Sequence, residues 1–133
     1  MKKILLFLIL SVALSGCTKA SDKNTETQDN SQAYQYQSIN VQTFDEMLQN
    51  KDFTLVDVHI PEQSHISKTD LFIPYHQIED NLSQLPQDKE QKIVVYCRSG
   101  SMSKTASKAL IDMGYKNVYN LLGGKNAYNA YKN

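Results

Sequence analysis

Cysteine and arginine are nearly absent from this chain. Its 133 residues hold two cysteines, Cys17 and Cys97, and one arginine, Arg98, directly beside the second cysteine. The two thiols are too far apart in sequence for a Cys-x-x-Cys redox motif. His59, His65 and His76, taken with Cys97, match no metal-ligand spacing, so no metal is expected. Charge of one sign is not in excess either: Lys and Arg number 14, and so do Asp and Glu. A balanced chain lacks the basic footprint that nucleic acid requires, which excludes that class of partner. Also missing is an apolar run of the roughly 20 residues that span a bilayer comfortably. No internal repeat is present.

What the N-terminus does have is two lysines, an apolar run from Ile4 to Leu14, and small residues before Cys17. That is the layout of an export signal over residues 1–16, with a permanent anchor helix as the alternative. Leu14-Ser15-Gly16-Cys17 resembles the lipobox of bacterial lipoproteins. The resemblance implies that Cys17 carries diacylglycerol and palmitate, becomes the first residue, and holds the protein at the cell envelope, facing the periplasm or exterior. Removing residues 1–16 takes away Lys2 and Lys3, which leaves 12 basic against 14 acidic side chains and a net charge near −2. Residues 17–37 are expected to be a disordered tether, because Thr18 to Ser38 contains no Leu, Ile, Val, Phe or Met to offset the entropy of ordering. Tyr34 and Tyr36 are candidates to dock at its end.

Residues 38–133 suffice for one small domain. Ile39–Val41, Phe53–Val58, Leu71–Ile73, Lys92–Tyr96 and Val118–Leu122 read as strands. Thr43-Phe44-Asp45-Glu46 reads as a capping box opening a helix, and Tyr75 to Leu85 has helical apolar spacing. A third helix is expected from near Ser103 to Met113, ended by Gly114, and a fourth after Gly123-Gly124. Strands alternating with helices indicate an α/β fold with a central, mostly parallel sheet flanked by helices, in which ligands bind at the carboxyl ends of strands.

Cys97 falls at such an end, just before a helix. A helix N-terminus offers about half a positive charge and unpaired N–H donors. Arg98, Ser99, Gly100, Ser101 and Met102 can turn their amides toward one centre, with Gly100 supplying the backbone freedom. A thiol there is expected to ionise below its usual range and to act as a nucleophile. The alternative, a small buried apolar cysteine, fits poorly beside an arginine, a glycine and Ser99, Ser101 and Ser103. Lys104 and Lys108 share a helix face near the loop and read as solvated.

LVDVHIPEQSHI at Leu55 to Ile66, YCRSGSMS at Tyr96 to Ser103, and LLGGKNAY at Leu121 to Tyr128 resemble the three signature regions of single-domain rhodanese-like sulfurtransferases, in order and spacing. The resemblance implies a rhodanese-like fold and sulfur transfer through a Cys97 persulfide. The donor would be a small anion such as thiosulfate or a persulfide, and the acceptor a thiol or cyanide. Arg98, Ser99, Gly100, Ser101, Met102 and Ser103 would bind the donor, and no cofactor is implied. Asp57 would hold neighbouring loops, although it also reads simply as a strand-end carboxylate. Two departures stand out. Met102 occupies a loop position that is often cationic in the family, and PEQSHISKTD lacks the family's Gly-His-Ile-Pro-Gly run.

A cysteine phosphatase uses a similar loop that is one residue longer, with an arginine six positions after the cysteine. Here that position is Ser103, which cannot clamp phosphate with a bidentate fork. A non-catalytic, membrane-tethered module binding an anion or a protein is the other reading. Thiol redox exchange would need a separate partner, since Cys17 is taken by lipid. The domain is expected to be a monomer.

Overall fold

The computed structural model describes residues 33–133; the export segment, Cys17 and most of the tether lie outside the described residues. Five parallel strands form one sheet: β1 (Gln37–Ile39), β2 (Thr54–Asp57), β3 (Leu71–Phe72), β4 (Ile93–Tyr96) and β5 (Val118–Leu121), in the order β1-β5-β4-β2-β3. The helices are α1 (Val41–Gln49), α2 (Ser101–Asp112) and α3 (Gly124–Lys132), with a 3₁₀ segment at Glu79–Gln84.

β4 lies at the centre, and its alternation divides the core in two. Val94 and Tyr96 face one layer with Leu55, Leu121 and the α1 residues Phe44 and Leu48. Ile93, Val95 and then Cys97 face the other with Val56, Val58 and the α2 residues Ala106 and Leu110. Period-2 geometry thus places the Cys97 side chain under α2. All four β4 residues are fully buried, as expected for a parallel strand covered on both sides.

The sequence expectations shift in four places. The N-cap of α1 is Asn40, not Thr43: the Asn40 side chain accepts from the Thr43 amide at 2.9 Å, and asparagine fills that role as well as threonine. Helix α2 opens at Ser101 rather than Ser103, because Gly100 takes a left-handed φ of 101° and turns the chain directly into it. The expected helix over Tyr75 to Leu85 is only the 3₁₀ segment, broken at Asn81 (φ −117°, ψ 23°). Its apolar spacing is still used, since Ile78 and Leu85 are buried. Strands β2 to β5 are one or two residues shorter than expected, while β1 keeps its expected length but is displaced toward the N-terminus to begin at Gln37, inside the stretch assigned to the tether. Tyr36 packs on the α2-side core, whereas Tyr34 is exposed.

Candidate active site

The β4 carboxyl end, the first turn of α2 and the first turn of α3 meet around Cys97. The residue is buried, at 2% exposure. Its sulfur accepts the Gly100 amide at 3.0 Å and lies 3.6 Å from Ser103 Oγ. Burial pushes the thiol pKa up, but the Ser103 amide and hydroxyl and the Gly100 and Ser99 amides outweigh it, and the net shift is downward. Hydrogen bonds to the charged form favour that form. The N-cap of α2 is a glycine with no capping side chain, so the first-turn amides stay available for whatever sits on the sulfur.

The loop is fastened from behind by α3. The Lys125 amide donates to the Cys97 carbonyl at 2.9 Å and the Asn126 amide to the Arg98 carbonyl at 3.0 Å. For these amides to reach, Gly123 and Gly124 both take left-handed φ, 70° and 57°. The Lys125 ammonium donates to the Ser64 carbonyl and, at 2.6 Å, to its hydroxyl. The loop after β2 is thereby tied to the same helix.

Arg98, Ser99 and Ser101 are exposed around the sulfur, Met102 is half-buried against the α2-side core, and Ser103 is fully buried. The Arg98 guanidinium makes no hydrogen bond or ion pair among the described residues. It is an exposed cation one residue after Cys97, while the nearby amides and the Ser103 hydroxyl hold the sulfur. Asp57 is buried and binds on both sides. One oxygen accepts the His59 amide at 3.0 Å and the other meets His65 Nδ1 at 2.8 Å. With Asp57 and then Glu62 as partners, the His65 pKa is raised despite partial burial. Asp57 therefore organises the loop that runs to Ser64 and does not face the sulfur. Lys104 is exposed, and Lys108 pairs with Asp112 on the solvent face of α2. His59, His65 and His76 do not converge: no group of three His, Cys, Asp or Glu side chains among the described residues is placed to hold a metal ion.

Two contributors escaped the sequence reading. Tyr96, at the end of β4, has its hydroxyl accept the Ile66 amide at 2.9 Å and meet Thr69 Oγ1 at 2.8 Å, which anchors the loop after β2 from beneath. Burial raises its pKa and keeps the phenol neutral. Asn120, on β5 beside Val95, is fully buried, and its Oδ1 accepts from Ser103 Oγ at 2.7 Å. A lone asparagine on an inward position of an otherwise apolar strand was the available signal.

The model of the rhodanese-like domain family matches residues 24–131. A sulfurtransferase from Allochromatium vinosum is 37% identical over 76 residues, covering 56% of this chain and 69% of that protein. The thiosulfate sulfurtransferase GlpE of Coxiella burnetii is 28% identical over 89 residues, covering 65% and 80%. Among solved structures, a rhodanese-related protein from Thermoplasma volcanium superposes with a TM-score of 0.62 at 26% identity, over 72% of this chain and 93% of that one.

Proposed function

Because the chain belongs to the rhodanese-like domain family, we propose that it is a sulfurtransferase working through a persulfide on Cys97. The Cys97 thiolate attacks the outer sulfur of thiosulfate. A sulfur–sulfur bond forms to Cys97, the donor's sulfur–sulfur bond breaks, and sulfite leaves with that electron pair. An acceptor thiolate or cyanide then attacks the outer persulfide sulfur, and the Cys97 thiolate is returned. A persulfide donor enters the same way and leaves as a thiolate. This is nucleophilic catalysis in two half-reactions, with charge on sulfur throughout.

The observation that carries this reading is the amide lining of the sulfur, with Gly100 N–H at 3.0 Å. Preorganised N–H donors stabilise an anionic sulfur as an oxyanion hole stabilises oxygen. Phosphate transfer gains no comparable support, because position 103 is a buried serine bonded to Asn120 rather than a guanidinium. Steady-state assays with thiosulfate and cyanide, run beside an aryl phosphate, test the reading. Thiocyanate should form and the phosphate ester should persist; the opposite pattern would refute sulfur transfer.

Arg98 serves in this reading as a rim cation that attracts charged donors. Arg98→Ala should lower kcat/KM for thiosulfate by about fivefold, the size expected of an exposed charge pair. A neutral persulfide donor should lose less. Equal losses for both donors would remove Arg98 from donor binding.

We also infer, from the lipobox resemblance, that the protein is exported and anchored through lipid on Cys17. A fatty-acid label should enter the wild-type protein and be absent from Cys17→Ser. Label retained in the variant would refute the anchor.

A further inference from the structure

Behind the Cys97 sulfur lies a short buried polar chain. Ser103 Oγ stands 3.6 Å from Sγ, 2.7 Å from Asn120 Oδ1 and 3.1 Å from the Gly100 carbonyl. Ser103 and Asn120 are fully buried. A serine has one hydroxyl hydrogen and here faces three acceptors. While sulfur is protonated, S–H donates to Oγ, and Oγ–H donates to the nearer of its two oxygen acceptors, Oδ1 at 2.7 Å rather than the Gly100 carbonyl at 3.1 Å. In that state Asn120 Nδ2 has no partner among the described residues. Leaving a buried donor unsatisfied is costly.

Ionisation of Cys97 removes the S–H donor and makes the sulfur a strong acceptor. The Ser103 hydrogen then gains by turning to sulfur, which leaves Oγ facing Oδ1 with no hydrogen between them. Turning the Asn120 carboxamide over cures this, because its two ends have nearly the same shape. Nδ2–H now donates to Oγ and Oγ–H to the thiolate. We infer that Asn120 is a positioning residue for the Cys97 nucleophile: by offering Ser103 Oγ an acceptor or a donor, it sets whether the Ser103 hydrogen points away from the sulfur or at it. No proton is gained or lost by Ser103 or Asn120; the thiol proton goes to solvent.

Asn120 matters more to the thiolate than to the thiol. If its amide is removed, the thiol state can still send the Ser103 hydrogen to the Gly100 carbonyl at 3.1 Å. The thiolate state has no substitute donor to Oγ. The charged or titratable groups on the elements around Cys97 are Asp57 and His59 on and after β2, Tyr96 on β4, Arg98 in the loop, Lys104, Lys108 and Asp112 on α2, Tyr119 on β5, and Lys125, Tyr128, Tyr131 and Lys132 on α3, with His65 tied to Asp57. None of them hydrogen-bonds to the sulfur.

The role assigned to Asn120 rests on Cys97 being the nucleophile, as proposed above, but not on what its thiolate attacks. Its test therefore uses no sulfur donor. Iodoacetamide alkylation of the full chain, followed on the Cys97 peptide by mass spectrometry across pH, gives the ionisation midpoint. Ser103→Ala should raise it by about one pH unit, the scale of one lost hydrogen bond to a charge. Asn120→Leu, of similar volume, should raise it by about half as much, and the double variant should match Ser103→Ala alone. An unchanged midpoint in Asn120→Leu, or an equal further rise in the Ser103→Ala background, would overturn the inference. The side-chain NH₂ resonances of Asn120 supply a second readout that does not depend on Asn120→Leu folding. They should titrate with the Cys97 midpoint in the wild type and cease to do so in Ser103→Ala; resonances indifferent to Cys97 ionisation in the wild type would also overturn it.

Discussion

Cys97→Ser is expected to lower sulfur transfer by at least about 10³-fold, the scale on which loss of a catalytic nucleophile acts. The serine hydroxyl fits the same buried space and can accept the Gly100 amide, so the fold should be retained. What is lost is chemical. A hydroxyl does not ionise near neutrality, and a neutral oxygen attacks sulfane sulfur far too weakly without a base. The donors that lower the Cys97 pKa, Ser103, Gly100 and Ser99, face the sulfur against the opposing effect of burial. None of them is placed as a base for an alcohol. Thiocyanate formation measured with wild type and variant at equal protein checks this, with a circular dichroism melt confirming the fold. Turnover in Cys97→Ser within tenfold of wild type would refute the assignment of the nucleophile.

Gly124→Ala is expected to damage both stability and activity. A methyl group at this position would lie 2.3 Å from the Cys97 carbonyl oxygen and 2.9 Å from the Arg98 carbonyl carbon and oxygen. These are backbone atoms and cannot rotate aside. The residue also holds φ at 57°, where a side chain is strained. Relief requires α3 to retreat from the loop, which breaks the amide contacts from Lys125 and Asn126 to the Cys97 and Arg98 carbonyls. A loss of about 2 kcal/mol or more is expected, equivalent to a fall in Tm of about 10 °C for a domain of this size. Sulfur transfer should fall at least tenfold even well below the melt, since the loop amides no longer converge on the sulfur. Calorimetry for the melt, and steady-state assays at about 25 °C, separate the two effects. A variant with wild-type Tm and turnover would show that the close approach of α3 does not shape the site.

The legible parts of the fold were those written in short-range pattern. Lys92 to Tyr96 reads as a strand because Ile93, Val94 and Val95 form an unbroken β-branched run. Cys97 at its end, followed by Arg98, Ser99 and Gly100, reads as a reactive loop because such residues make poor core. The helix spacing of Ala106 and Leu110 was equally plain, and both are buried on α2. Boundaries were harder, since they depend on single backbone choices. Gly100 starts α2 earlier than its serines suggested, and Asn40 takes the cap that Thr43 seemed to offer. The apolar spacing of Ile78, Leu82 and Leu85 could not reveal that Asn81 interrupts the helix, because one face of contacts is served by either geometry. Least legible were the partners brought in by pairing across the sheet. Asn120 meets Ser103 only because β5 lies beside β4 under α2, and Tyr96 meets Ile66 and Thr69 across a sequence gap that no local pattern spans. The role of Gly124 is likewise a matter of contact with the Cys97 carbonyl, invisible until α3 is docked.

Intact-mass analysis of the protein after brief exposure to thiosulfate or a polysulfide, followed by removal of excess donor, tests the central claim most directly. The sulfurtransferase account expects a gain of one sulfur atom, located on the Cys97 peptide, blocked by prior alkylation of that thiol, absent in Cys97→Ser, and discharged by cyanide or an acceptor thiol. A wild-type protein that gains no sulfur from either donor, or carries it at a residue other than Cys97, would contradict that account.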